Sequence, residues 1–415
     1  MSVNEQTPGQ RFLVKVSQKL SKERFEHAFG VDQVAEWDVE WSVFENTNHD
    51  VLQEQEFEDI SIRKNIRTLA KTISKKRSEN MNTTQKECFL DVLDLKEQYI
   101  MMAYDRIEAY SAEYFKLLHP ESNICFGLKK GGDQLGVVMN ITTGPRNEQP
   151  LRYYIKTHAL GRKEFNSSTV PKPVEPLELI VYKVLEKLQL CPQVHFICRD
   201  EKDLLIATLD AGQNGDFQEF STIMKQPEKI TCQVWGNLLE YYFEGNGLLA
   251  SFNEEVLNEK AHKFIEQLSM MDMIMRIFNL RDCINNTTNF GFMIPDGDLK
   301  VIDFRAELEP FTEECFKDFR NGNGMFRVDR AHYSIIYPLF GRPWKKRLQT
   351  AMLLVQEGML CNLSEVLKES VDFVITQFSN NDLSHLVSKV KDRHTLLQTN
   401  IDTFIRYLNE QKLKQ

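Results

Sequence analysis

The chain has 415 residues and a formal net charge of −9, with a sequence pI of about 5.6, so it is long enough for two domains or one large two-lobed one around a substantial core. The acidic balance argues against a general polyanion-binding surface, and aromatic residues are not interleaved with basic ones as single-strand binding requires, so no nucleic-acid partner is expected. Eight scattered cysteines without a CxxC pair or a zinc-like spacing read as reduced thiols of an intracellular chain, in the cytoplasm or nucleus.

The N-terminal MSVNEQTPGQRF lacks an apolar core preceded by basic residues, so no signal peptide is expected. No apolar run approaches the roughly 18 residues of a membrane helix, so no transmembrane segment is expected either. Residues 1–120 read as a helical N-terminal region. Phe12, Val16, Leu20 and Phe25 mark a first amphipathic helix, and Phe89, Val92, Leu93, Tyr99, Met102, Ile107 and Tyr110 a long later one closed by His119-Pro120. Between them Arg63, Lys64, Arg67, Lys71, Lys75, Lys76 and Arg77 form a basic run. It reads either as a solvated helix face or as a docking patch for an acidic partner or an anionic lipid surface.

From about 121 to 212 the pattern changes to strands. Ile124–Leu128 and Leu135–Ile141 flank Lys129-Lys130-Gly131-Gly132-Asp133, a hairpin signal, and Leu151–Thr157 follows with Lys156 near its end. A helix is predicted over Pro176–Leu190, with Leu177, Ile180, Val184 and Leu188 at helical spacing, then strands at Val194–Cys198 and Leu204–Leu209. Residues 213–415 read as helical, including Val234–Phe243, Ala331–Tyr337, Trp344–Gln356, Leu363–Phe378, Leu383–Lys391 and a last helix around Leu396–Lys412. One hairpin interrupts them. Strands at Asn289–Ile294 and Leu299–Phe304 flank the turn Pro295-Asp296-Gly297-Asp298, preceded by a helix with Met271, Ile274, Met275 and Phe278 and a polar loop with Arg281, Asp282, Asn285 and Asn286. A carboxylate (Asp303) and an amide oxygen (Asn289) on the rim of such a hairpin are hard oxygen ligands suited to a magnesium ion carrying nucleotide phosphates.

The layout of three strands, one helix, two strands, a linker and a helical region with an embedded hairpin resembles the protein kinase-like fold over roughly 123–360. The expected fold class is therefore α+β: a mainly antiparallel five-stranded N-lobe, a helical C-lobe, and an N-terminal helical extension. Lys156 in RYYIKTH looks like the strand lysine that holds the α- and β-phosphates of ATP, and Glu178 in PLELIVYKVLEKL like the helix glutamate that pairs with it. The E-x-x-V-Y-x-x-L pattern and the VIDF around Asp303 are similar to aminoglycoside and choline kinases. The helix running straight into the polar loop is nearer to actin-fragmin kinase, type II phosphatidylinositol 4-kinases and the HipA toxin kinases. The resemblance implies ATP and Mg2+ as cofactors, with Gly131, Gly132 and Leu209 beside Lys156 at the nucleotide and Asn289 and Asp303 at the metal.

Asp282 is the candidate catalytic base, but it precedes Asn289 by seven residues where the related kinases have five, and five back from Asn289 is Ile284. Three readings stay open: a two-residue bulge, Asn286 as the ligand, or a lost base. Gly131, Gly132 and Gly136 lack the G-x-G-x-x-G spacing of a phosphate-covering loop, and Asp303 is followed by Phe304-Arg305 rather than Phe-Gly. The expected function is a divergent Mg-ATP-dependent phosphotransferase acting on a hydroxyl of a protein, lipid or small molecule. The competing readings are a pseudokinase scaffold and an unrelated helical adaptor with a mixed-sheet insert. Arg320, Arg327 and Arg330 read as a solvated loop or as contacts for an acidic acceptor.

Overall fold

The structure is a computed structural model that describes residues 8–45, 60–76, 81–129, 134–143, 149–161, 174–199, 204–212, 217–225, 259–280, 282–283, 286, 288–293, 297–321, 344–381 and 383–413. It is an α+β protein. Its contacts divide into two units, Met1–Glu148 with Ile155–Pro173, and Gln149–Tyr154 with Val174–Gln415. Among the described residues no helix is long and apolar enough to cross a membrane.

In the first unit the predicted first helix is two helices, α1 (Pro8–Lys19) and α2 (Lys22–Phe29), because Ser21 is extended at φ −78°, ψ 142°. Two short helices follow, α3 (Val31–Ala35) and α4 (Ser42–Glu45). Phe25, Phe29, Trp37, Trp41 and Phe44 from this stretch bury one another's rings in a single cluster. The basic run lies on α5 (Ile60–Lys76), which buries Ile62, Ile66, Leu69, Ala70 and Ile73 and leaves Lys64, Lys71 and Lys75 exposed. The long helix α6 (Thr83–Leu118) starts earlier than its apolar pattern suggests, since Asn82 and Gln85 form a reciprocal capping box that satisfies the first backbone donors. Lys19 and Arg24 both reach Asp91 on α6, at 2.8 and 2.5 Å, and fix the α1–α2 junction to it.

Five strands form one antiparallel sheet in the order β1-β2-β3-β5-β4: β1 (Asn123–Leu128), β2 (Gln134–Thr142), β3 (Leu151–Gly161), β4 (Val194–Cys198) and β5 (Leu204–Leu209). Gly136 lies inside β2 rather than in a loop, and a Cβ there would come 2.1 Å from the Ile155 carbonyl oxygen, so it is glycine that lets β2 approach β3 beside Lys156.

In the second unit, α7 (Pro176–Lys187) has Pro176 in its first turn and Glu175 as its N-cap, accepting from Leu177 N–H. It ends three residues before the pattern predicts. Gln189 takes a left-handed conformation at φ 60°, and the N–H groups of Leu190 and Gln189 return to the carbonyls of Leu185 and Glu186, a Schellman ending without glycine. Every residue from Pro176 to Leu185 is buried, so α7 has no solvent face in its first ten residues.

Beyond the sheet come β6 (Phe217–Glu219), α8 (Phe220–Lys225), α9 (Glu259–Ile277), β7 (Phe290–Met293), β8 (Leu299–Val301), α10 (Glu313–Asn321), α11 (Trp344–Gln356), α12 (Met359–Ser379) and α13 (Val387–Lys412). The two helices predicted over 383–412 are one continuous α13 after a single 3-10 turn at Ser384–Leu386. Strands β6, β7 and β8 form a second sheet in that order, a third strand that the hairpin reading lacks. The predicted helices at Val234–Phe243 and Ala331–Tyr337 lie outside the described residues.

Candidate functional site

Helix α9 delivers the polar loop. Asn279 adopts the left-handed conformation at φ 51° that asparagine tolerates better than most residues, and Leu280 N–H returns to Met275 O at 2.8 Å, so the helix stops at Ile277. Asn279 then exchanges bonds with Glu307, its Nδ2 donating to Glu307 O and its carbonyl accepting from Glu307 N–H. These bonds tie the start of the loop to the segment after Asp303.

The loop makes two successive turns. Asn286 N–H donates to Asp282 O at 2.8 Å, a helical i to i+4 closure, and Asn289 N–H donates to Asn286 O at 3.1 Å. The first of these bonds spans the interval between Asp282 and Asn286. Asp282 is exposed on that turn, and Ile284 lies outside the described residues.

Asn286 organises the second turn. Its Oδ1 accepts from Thr288 Oγ1 at 2.6 Å and Thr288 N–H at 3.2 Å, while its Nδ2 donates to Asn289 Oδ1 at 3.0 Å. Asn289 is buried, and its backbone carbonyl accepts from both Ile302 N–H at 2.9 Å and Asp303 N–H at 3.2 Å. Ile302 opposite Asn289 makes only half of the next ladder rung, because Asn289 N–H is taken by Asn286 O, and Asp303 N–H turns onto the same carbonyl. For this reason β8 ends at Val301, and Asp303 stands just beyond it, not on the strand as predicted. Asn289 and Asp303 are thus side by side, with Asp303 half-buried.

Cys283 lies beneath them, its thiol donating to Asp303 O at 3.6 Å. Burial, and then the Asp303 and Asp282 carboxylates, push that thiol well above its ordinary value, so it is a neutral donor to the backbone and no nucleophile. Among the described residues no three His, Cys, Asp or Glu side chains gather as a metal cage. One carboxylate with an amide oxygen is a sparse hard-oxygen set that fits a magnesium completing its shell with water and phosphate oxygens.

The hairpin is fastened to α7. Val301 N–H donates to Leu190 O at 2.7 Å and Lys300 Nζ reaches Gln189 O, so β8 is stitched to the end of that helix. Phe304, next to Asp303, packs its ring on Tyr182 with centroids 4.1 Å apart. Tyr182 lies one helical turn beyond Glu178, which is itself buried on α7. Glu178, Asn289, Asp303 and Asp282 therefore all belong to the second unit. Lys156 belongs to the first, where it is buried on β3 next to Thr157, whose hydroxyl donates to Leu135 O at 3.3 Å. Leu209 ends β5, its N–H donating to Gln193 O at 2.9 Å. Gly131, Gly132, Arg281, Arg327 and Arg330 lie outside the described residues, and Arg320 stands in the last turn of α10 with a bond to Asn321.

Sequence patterns assign no role to Phe304 or Cys283, and none was expected of Tyr182. Tyr182 carried a usable signal, since it is the tyrosine of the E-x-x-V-Y pattern that begins at Glu178, four residues on and hence on the same helix face. Cys283 carried none. Comparison with protein-family models, with curated proteins and with solved structures gives no match.

Proposed function

We propose that this chain is a divergent Mg-ATP-dependent phosphotransferase of the protein kinase-like fold, acting on a hydroxyl of a protein, lipid or small molecule. The observation that carries the reading is the junction of α7 with the hairpin: the Tyr182–Phe304 contact joins the helix of Glu178 to the strand end of Asp303, and Asp303 lies beside Asn289. The sheet order, with one helix between β3 and β4 and with β5 beside β3, supports it further.

In this reading Lys156 has the role of the phosphate-holding lysine and Glu178 that of the helix glutamate, as the resemblance implies, and Asp303 with Asn289 would hold the metal, whose bound form offsets phosphate charge. Asn286 holds the Asn289 amide, leaving the second lone pair of Asn289 Oδ1 for a ligand. Asp282 is the base. Its exposure and its seven-residue spacing from Asn289 favour a second reading, a nucleotide-binding pseudokinase in which no transfer occurs. The exposed lysines of α5 are the surface either reading leaves for an acidic partner or an anionic lipid.

Thermal shift with ATP and Mg2+ tests the common core. Stabilisation is expected for the wild type and not for Asp303→Ala, and an unchanged shift in that variant would overturn the metal assignment. Radiolabel transfer from ATP separates the two readings. Transfer abolished by Asp282→Asn supports the enzyme, and nucleotide binding without any transfer supports the scaffold.

A further inference from the structure

The C-terminal helix α13 meets both halves of the candidate site from one face. Lys389, Arg393 and Asn400 recur at i, i+4 and i+11, so they share a side of the helix, and Arg393 and Asn400 are about 10 Å apart along its axis.

The first handle grips the start of α7. Arg393 Nε and one terminal nitrogen donate to the two oxygens of Glu175 at 2.7 and 3.2 Å, a fork-to-fork pair. Lys389 adds an ion pair to Glu175 at 3.3 Å and a bond to Val174 O at 2.7 Å. Glu175 is the N-cap of the helix that carries Glu178 one turn later.

The second handle grips the loop and the segment after Asp303. Asn400 is 2% exposed, and both its amide nitrogen and its oxygen are engaged. Nδ2 donates to Ile277 O at 3.0 Å and to Glu309 O at 3.3 Å, and Oδ1 accepts from Phe311 N–H at 2.8 Å. Ile277 is the last residue of α9 before the Asp282–Asn289 loop, and Glu309 and Phe311 continue the chain from Asp303.

A buried amide that bonds three backbone groups from two segments holds them in one arrangement, because each group left unmet costs its full desolvation. The geometry points to α13 as a strut that couples the orientation of α7 to that of the Asn289–Asp303 hairpin, so that its residues are positioning residues for the site and a displacement of α13 alters both halves together. The coupling stands on these bonds alone; its consequence for a ligand rests on the proposed function.

Hydrogen exchange on the full chain tests the strut. In Lys389→Gln/Arg393→Gln, amides of α7 are expected to exchange about tenfold faster, and so are those of 302–311, more than a turn of α13 away from the substituted side chains, with α6 unchanged. Asn400→Ala is expected to speed α7 in turn. Acceleration confined to the substituted end in the charge pair would overturn the coupling even if the Asn400 variant fails to fold. Arg393→Lys, which keeps the charge and one bond, is expected to restore most of the protection. The second measurement is the Kd for Mg-ATP, expected to rise severalfold in the charge-pair variant and to return in Arg393→Lys. If the wild type binds no Mg-ATP, the phosphotransferase reading falls while the exchange pattern still decides the strut. An unaltered Kd beside accelerated exchange at both ends would overturn the positioning role.

Discussion

The heaviest charge buried in the second unit is an ion triad whose removal has a predictable cost. Asp272 on α9 and Arg347 on α11 are each 1% exposed and meet at 3.2 Å, while Arg276 donates to the other Asp272 oxygen at 2.8 Å. Arg347 also donates to Phe319 O at 3.3 Å, and burial pushes its pKa down to about 10 despite the facing carboxylate. Asp272→Asn keeps the shape and removes the carboxylate that faces Arg347. Breaking one partner of such a pair costs about 3–5 kcal/mol, and for a unit of this size about 2–4 °C of Tm accompanies each kcal/mol, so a fall on the order of 10 °C is expected. Replacing Asp272 and Arg347 together by apolar residues of similar volume is expected to recover part of the loss, because the desolvation of Arg347 is then no longer incurred while Arg276 still loses its bond to Asp272. Urea denaturation of Asp272→Asn and of Asp272→Leu/Arg347→Met measures both. A single-variant loss below about 1 kcal/mol, or a double variant no better than the single, would refute the view that the triad's energy lies in mutual compensation.

Phe304→Ala should cost about 3–5 kcal/mol by cavity formation, whereas Phe304→Leu should fold and still weaken Mg-ATP binding, since the ring contact with Tyr182 that sets Asp303 against α7 is lost; an unchanged Kd in Phe304→Leu would count against that contact. Gly291→Ala places a Cβ 2.1 Å from Gln218 O and 2.7 Å from the Phe217 ring, so it should cost about 1–3 kcal/mol and expose β6 amides to exchange first. Gly136→Ala meets Ile155 O at 2.1 Å, and its local loosening should be greatest at β3 around Lys156, read by the same exchange measurement. Burial works against the Glu175 carboxylate, but Arg393, the Leu177 N–H and Lys389 outweigh it and hold the group below its ordinary 4.5. A carboxyl lowered in the fold stabilises above its unfolded value and loses that contribution as pH falls through the lowered one. The stability difference between wild type and Glu175→Gln should therefore be full at pH 7 and close in acid below about pH 4, and a gap independent of pH would exclude the ionised pair as its source.

Local signals in the sequence determined much of the fold. The short apolar runs Val194–Cys198 and Leu204–Leu209 and the apolar spacing of Trp344–Gln356 give elements with the same bounds in the structure, because each is decided by residues a few positions apart. The Asn289–Asp303 hairpin was legible for the same reason, its turn and its two apolar runs being adjacent in the chain. What the sequence could not decide lies where distant segments compete for the same groups. The left-handed Gln189 that ends α7 has no glycine to announce it, and its Schellman turn is held by Leu190, whose carbonyl is taken by Val301 of a strand more than a hundred residues away. The end of β8 likewise depends on the Asn289 carbonyl taking two N–H groups at once. Helix α7 reads as amphipathic from its spacing and is buried on every side over its first ten residues, since α12 and α13, from the far end of the chain, supply the covering that periodicity cannot foresee. The hairpin pattern and a resemblance to kinases named the residues of the candidate site, and only tertiary hydrogen bonds and ring packing placed Asn286, Tyr182, Phe304 and Asn400 in support of it.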